Sequence, residues 1–161
     1  MLFSDYFSSF RLVSLTLCAG ILLVGCDMSD NGDVDDFRGV DVESTVSTDD
    51  AVDGELEDSD SQLGDLNPGF SVDSDKYVDL YELEIDDGAT PVEIDMTSNE
   101  DAGGVDTYLY LWERDGDFVA SDDDDGSGLN SEILQTLEAG EYIIVASSYS
   151  VEQGAYELSI E

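Results

Sequence analysis

DTYLYLWERDGDFVASDDDDGSGLNSEIL (residues 106–134), followed after four residues by AGEYIIVASSYSVEQGAYELSI (139–160), is the stretch that decides the fold. Leu109 and Leu111, Ile133 and Leu137, and Tyr156, Leu158 and Ile160 fall on every second position or close to it, with polar residues between. Asp115-Gly116, Ala139-Gly140 and Gly154 interrupt the pattern. A period of two broken by turn residues is the mark of half-buried antiparallel strands.

Working outward, seven strands are predicted: residues 77–85, 92–96, 105–113, 117–121, 131–137, 141–149 and 155–160. In the first, Tyr81, Leu83 and Ile85 share a face opposite Glu82 and Glu84; in the second, Val92, Ile94 and Met96 alternate with Glu93 and Asp95. No segment shows a sustained 3.6-residue apolar stripe, so little helix is expected. Seven short strands, each with one apolar and one polar face, are best satisfied by two sheets packed face to face. The predicted fold is all-β, a small antiparallel, jelly-roll-like β-sandwich.

The motifs DTYLYL (106–111), the Asp-rich loop ending in Asn130-Ser131, AGEY (139–142) and GAYELSI (154–160) resemble those of the bacterial pre-peptidase C-terminal domain. That domain is a small β-sandwich appended to many secreted proteases and found on other exported proteins. The resemblance runs over residues 76–161 and implies an accessory module. No peptidase precedes it in this sequence, so the module is expected to act alone or with a separate partner.

The N-terminus has Arg11, an apolar run over residues 12–22, and then Leu23-Val24-Gly25-Cys26. A core of this length suits a signal peptide rather than a permanent span. Leu-Val-Gly-Cys resembles the bacterial lipobox, which implies cleavage after residue 25 and lipid attachment at Cys26. Residues 1–25 are thus read as a lipoprotein signal peptide, and the protein as exported and lipid-anchored at the cell envelope in a leaflet left open. Cys18 leaves with the signal peptide, so the mature chain has no disulfide.

Residues 26–68 are read as a disordered acidic linker. From residue 27 they carry fifteen acidic residues against Arg38 alone, and apolar residues such as Val34, Phe37, Val40, Val42, Val46 and Leu56 show no useful period. Self-repulsion extends such a segment, and it offers little to bury. A flexible chain of this length spans roughly 35 Å. The folded domain is then assigned to residues 69–161.

Forty-one acidic residues against four basic ones give a net charge of -37, which repels nucleic-acid phosphates. There is no histidine, which removes the usual general base and the commonest zinc ligand. Paired carboxylates remain as catalytic groups, but a sandwich this small leaves little room for an enclosed pocket. A monomeric, non-enzymatic protein is expected.

Two surface sites follow from strand register and parity. A two-residue hairpin at Asp115-Gly116 pairs Arg114 with Asp117, and its extension brings Asp106 opposite Asp125. Asp106, Asp122, Asp123, Asp124 and Asp125, with Asn130, then form a candidate Ca²⁺ site, since Ca²⁺ takes six to eight oxygen ligands from flexible loops. The other reading is a solvated loop in a protein acidic throughout. Because Leu109 and Leu111 face the core, Tyr108, Tyr110 and Trp112 form a stripe on the opposite face. Such a stripe suits stacking on a glycan or packing against a peptide, unless a loop or the segment around Phe70 covers it.

The expected function is a binding or accessory module at the cell envelope, anchored to the membrane by lipid and directed at an unidentified protein, peptide or glycan. The alternatives are a calcium-dependent adhesion or matrix- or carbohydrate-binding module and an accessory to a separately encoded secreted protease.

Overall fold

The computed structural model describes Phe37 and residues 40–66, 75–99 and 104–161. Residues 1–25, Cys26 and Phe70, with the expectations placed on them, lie outside the described residues. The chain forms β1 (Ser44–Val46), β2 (Ala51–Leu56), β3 (Ser61–Gln62), a single helical turn α1 (Leu63–Leu66), β4 (Tyr77–Ile85), β5 (Thr90–Ser98), β6 (Thr107–Glu113), β7 (Phe118–Asp122), β8 (Ser131–Leu137), β9 (Gly140–Ser148) and β10 (Gly154–Ile160).

The strands make two sheets. One has the order β1-β4-β9-β6-β7, with β3 also pairing β4; the other has the order β2-β10-β5-β8. Between them lies a core built from the inward positions of both, including Leu83, Ile94, Met96, Leu109, Leu111, Ile144 and Leu158. The all-β sandwich expected from the alternation is therefore the observed fold, and β4 to β10 correspond to the seven predicted strands. Pairing is antiparallel except where β1 runs parallel to β4, Thr45 opposite Glu82.

Residues 44–62 depart from the predicted disordered linker. β2 pairs antiparallel with β10 over six residues, from Leu56 opposite Gly154 to Ala51 opposite Ser159. Val46, Leu56 and Leu63 are buried. The turn at Ser47, whose N–H donates to Asp50 Oδ2 at 2.8 Å, carries the chain from one sheet to the other.

The period of two in β2 is real, with Val52, Gly54 and Leu56 turned inward and Asp53 and Glu55 outward. Its middle inward position is a glycine because the ring of Tyr156 fills that space. A Cβ on Gly54 would lie 2.3 Å from the ring. The apolar signal is therefore broken where a partner strand about a hundred residues later supplies the missing side chain. The outward carboxylates also blunt β2 as an edge.

The central strands of the first sheet are covered on both faces. On the outer face Val78, Leu80, Tyr110, Trp112, Ile143 and Val145 form a second core with Phe37 and Leu63, and Val40, Val42 and Leu66 pack against it. Phe37 is fastened by its N–H to the carbonyl of Arg114 at 3.2 Å. These covering residues show no period in sequence because they pack as an irregular segment and one helical turn, not as a strand.

Candidate functional site

The DTYLYL strand reaches one end of the sandwich at Asp106-Thr107, and a buried hydroxyl pair fixes it there. Thr107 Oγ1 lies 2.8 Å from Ser131 Oγ and 3.2 Å from the carbonyl of Met96. Both residues are fully buried, so these contacts tie β6 to the opposite sheet. The backbone then gathers two loops around Asp106. The N–H of Tyr149 donates to the Asp106 carbonyl at 2.9 Å, and the N–H of Thr107 to that of Leu129 at 3.2 Å.

The result is an open cleft of about 890 Å³ bordered by Asp53, Asp106, Leu129, Asn130, Glu152 and Glu157, among others. Three large apolar side chains stand out in the surrounding loops: Leu129, Tyr149 and Val151, with exposures of 57, 57 and 51%. Asp106 Oδ1 is buried and has no hydrogen-bond partner among the described residues. Burial raises the Asp106 pKa above the ordinary carboxylate value, helped by Asp124, Glu152 and Asp123. An unpartnered carboxylate oxygen surrounded by like charge favours the approach of a cation.

The predicted ligands divide into two groups. Asp122 Oδ2 accepts the N–H groups of Asp125 at 3.0 Å and Glu132 at 2.9 Å, so that carboxylate folds its own turn. Asp123 Oδ1 accepts the N–H of Asp124 at 2.9 Å. Asn130 Oδ1 accepts the N–H of Ser98 at 3.0 Å, bracing β5. Asp106 therefore faces Asp123, Asp124 and Glu152 as its charged neighbours; Glu152 comes from a loop the hairpin register could not reach.

The hairpin itself has a different construction from the predicted one. Gly116 N–H donates to the Glu113 carbonyl at 2.9 Å, Glu113 N–H to the Asp117 carbonyl at 2.8 Å, and Gly116 has φ 104°. This is a three-residue loop ending in a left-handed glycine. It shifts the register by one, placing Trp112 opposite Phe118, and a bulge at Val119 restores it, so that Leu111 faces Ala120 and Leu109 faces Asp122. The expected register thus returns over Leu109 to Leu111 because two irregularities cancel, and the ladder ends there, short of Asp106 and Asp125.

Tyr108, Tyr110 and Trp112 do lie on one face, with successive ring centroids 4.6 and 5.2 Å apart. They are not a surface stripe. Trp112 is fully buried, Tyr110 is 5% exposed, and Phe37 lies against Trp112 at 5.7 Å. The ammonium of Lys76 sits 5.1 Å from the Tyr108 ring centroid and 5.7 Å from that of Tyr149. Tyr110 and Trp112 are core on the outer side of their sheet and the half-buried Tyr108 packs against them, which corrects the expectation of an exposed ligand-binding row.

Two further groupings were not predicted. Glu93, Asp95 and Glu132 bring carboxylate oxygens within 4.8 Å of one another on the outer face of the second sheet. Asp95 is opposite Glu132 in the ladder, and burial with Glu93, Glu132 and Glu161 raises its pKa. Second, Asp79 is 5% exposed and accepts the Tyr156 hydroxyl at 2.5 Å; Tyr156 in turn lies 2.7 Å from the Tyr81 hydroxyl.

No protein-family model matches the chain, nor does any curated protein. Among solved structures, the pre-peptidase C-terminal domain of a collagenase from Bacillus anthracis superposes with a TM-score of 0.54 at 17% identity, covering 75% of this chain and 97% of that one. The chain has the fold of a pre-peptidase C-terminal domain. Two lesser likenesses are CorA, a surface-associated copper-binding protein of Methylomicrobium album BG8 (TM-score 0.48, 11% identity, 74% of this chain and 98% of that one), and PliG, a periplasmic inhibitor of g-type lysozyme from Aeromonas hydrophila (0.40, 13%, 73% and 96%).

Within this pre-peptidase-like sandwich, the parts legible in sequence were those carried by a single strand or turn. Glu152 and the Asp79–Tyr156–Tyr81 chain were not, because each depends on strands far apart in sequence meeting in space. The only advance signal for the latter was the pair of inward tyrosines, Tyr81 and Tyr156, read simply as core.

Proposed function

We propose that this protein is a non-catalytic binding module, exported and held at the cell envelope by lipid on Cys26, with the Asp106 end of the sandwich as its binding surface. The observation that carries this reading is the juxtaposition there of three exposed apolar side chains with an unpartnered buried carboxylate oxygen. Apolar contact area beside one strong polar anchor is a common composition for a recognition surface. The Leu-Val-Gly-Cys sequence supports the anchor. Labelled palmitate should enter the wild-type chain and not Cys26→Ser. Retention on immobilised glycan or extended-peptide matrices should fall in the double variant Leu129→Asp, Tyr149→Asp; retention unaffected by both changes would count against this surface.

The orphaned oxygen of Asp106 also favours a second reading, in which binding is calcium-dependent. Its carboxylates are then Asp106 with its charged neighbours Asp123, Asp124 and Glu152, in place of the hairpin-register set; they are not already gathered within 4.8 Å of one another, so the loops would close around the ion. Calcium titration of the protein at constant ionic strength should move NMR signals of these four residues and leave those of Glu93 and Asp95 in place.

A further inference from the structure

Asp79 lies on the inner face of β4, where a carboxylate has no place in an apolar core unless something compensates it. Its Oδ2 accepts the Tyr156 hydroxyl, and Tyr156 continues to Tyr81. This chain forms one side of a second cleft, of about 430 Å³, whose other walls come from the N-terminal strands: Glu43 and Ser44 beside and in β1, Gly54 in β2, and Glu57 and Asp60 in the following turn. Among the described residues, every charged group bordering that cleft is acidic.

The groups facing Asp79 can be named element by element. Glu43 comes from the segment entering β1, Glu57 and Asp60 from the β2–β3 turn, Tyr81 from β4 itself and Tyr156 from β10. Asp53 and Glu55 stand on β2 along the same cleft. From β9 the residue paired with Asp79 is Ala146, which does not titrate. An ionised Asp79 is therefore a buried negative charge set against the carboxylates of the segment docked over it.

We propose that the Asp79–Tyr156–Tyr81 chain is a proton-operated latch, holding residues 43–62 on the sandwich when Asp79 is protonated and loosening them when it is ionised. The hydrogen-bond chain accommodates both states. With Asp79 ionised, Tyr156 donates to it and accepts from Tyr81; with Asp79 protonated, the polarity reverses and Tyr81 donates into the cleft. The proton comes from and returns to water there, through Tyr81, which borders it. No hydrogen bond is lost in either state, so what changes is the charge facing Glu43, Glu57 and Asp60. Burial foremost, and then those three carboxylates, raise the Asp79 pKa to about 6, against the lowering effect of Tyr156. The latch accordingly works across mildly acidic to neutral pH.

The test is amide exchange on the full chain at constant ionic strength, with rates corrected for the intrinsic effect of pH. Between about pH 5 and about pH 7.5, opening of β1 and β2 should rise by up to about tenfold, the part of the linkage that remains above pH 5 for a carboxyl shifted from 3.8 to about 6. Its midpoint should coincide with that of the Asp79 side-chain carboxyl carbon, followed by NMR in the same chain. Asp79→Asn should remove the pH dependence. Opening that does not change with pH, a carbon midpoint that differs from the opening midpoint, or an undiminished dependence in Asp79→Asn would each overturn the latch. The NMR comparison uses the wild-type chain and stands even if Asp79→Asn fails to fold. Tyr156→Phe gives an independent arm: loss of the hydroxyl should move the Asp79 midpoint upward, and an unmoved midpoint would overturn the role of the chain.

Discussion

At the scale of single residues, burial decides which side chains are free to bind and which hold the fold. Trp112 is fully buried against Phe37 and Phe118, so Trp112→Ala should cost about 3–5 kcal/mol of stability by denaturant titration, instead of removing a surface contact. Gly54 has a comparable structural weight for the opposite reason. A methyl group there would meet the Tyr156 ring at 2.3 Å, beside the hydroxyl that reaches Asp79. Gly54→Ala should destabilise by about 1–3 kcal/mol, with altered tyrosine NMR shifts. Asp79 supplies a pH dependence whose sign is fixed by the direction of its shift. Its folded pKa is raised to about 6 from 3.8, so its contribution is fully present below the lower value and is lost as pH rises through the upper one. The loss is on the order of 2–3 kcal/mol. Asp79→Asn should therefore be more stable than wild type at neutral pH and show a flatter stability profile, as measured by thermal melts across that range.

At the scale of elements, the segment before β4 belongs to the sandwich. β2 completes the edge of the second sheet beside β10, while Phe37, Val40, Val42 and α1 roof the outer face of the first. A chain beginning at residue 69, where sequence periodicity first becomes regular, would lack β1, β2, β3 and that roof. Compared with a chain beginning at residue 37, it should melt lower by on the order of 10 °C or more. Its single tryptophan should emit further to the red, since Trp112 would meet water. Equal melting temperatures for the two chains would show the N-terminal strands to be dispensable. The β6–β7 hairpin carries a related lesson. Asp115-Gly116 marks a turn in any reading, but its three-residue length and the compensating bulge at Val119 depend on how Trp112 and Phe118 pack.

At the scale of the molecule, a net charge of -37 repels itself, and screening by salt relieves that repulsion. Added NaCl should raise the melting temperature at neutral pH. If Asp106, Asp123, Asp124 and Glu152 hold calcium, CaCl₂ at matched ionic strength should raise it further, and Asp106→Asn should remove only that increment. An identical calcium response in wild type and variant would leave screening as the whole effect.

The sequence by itself determined the all-β class, seven of the ten strands among the described residues, and the inward face of β4, β5, β6, β8 and β10. Those properties are local: alternation and turn residues within one strand suffice to impose them. Only the tertiary structure decided that residues 44–62 join the sheets, that the Tyr108–Tyr110–Trp112 row lies under a roof, and that Asp79 meets two tyrosines. Each of these depends on a partner distant in the chain. At Gly54 the inward residue is absent from its own strand because Tyr156 occupies the space, and along the roof the apolar residues follow the outline of the sheet beneath, not a period of their own.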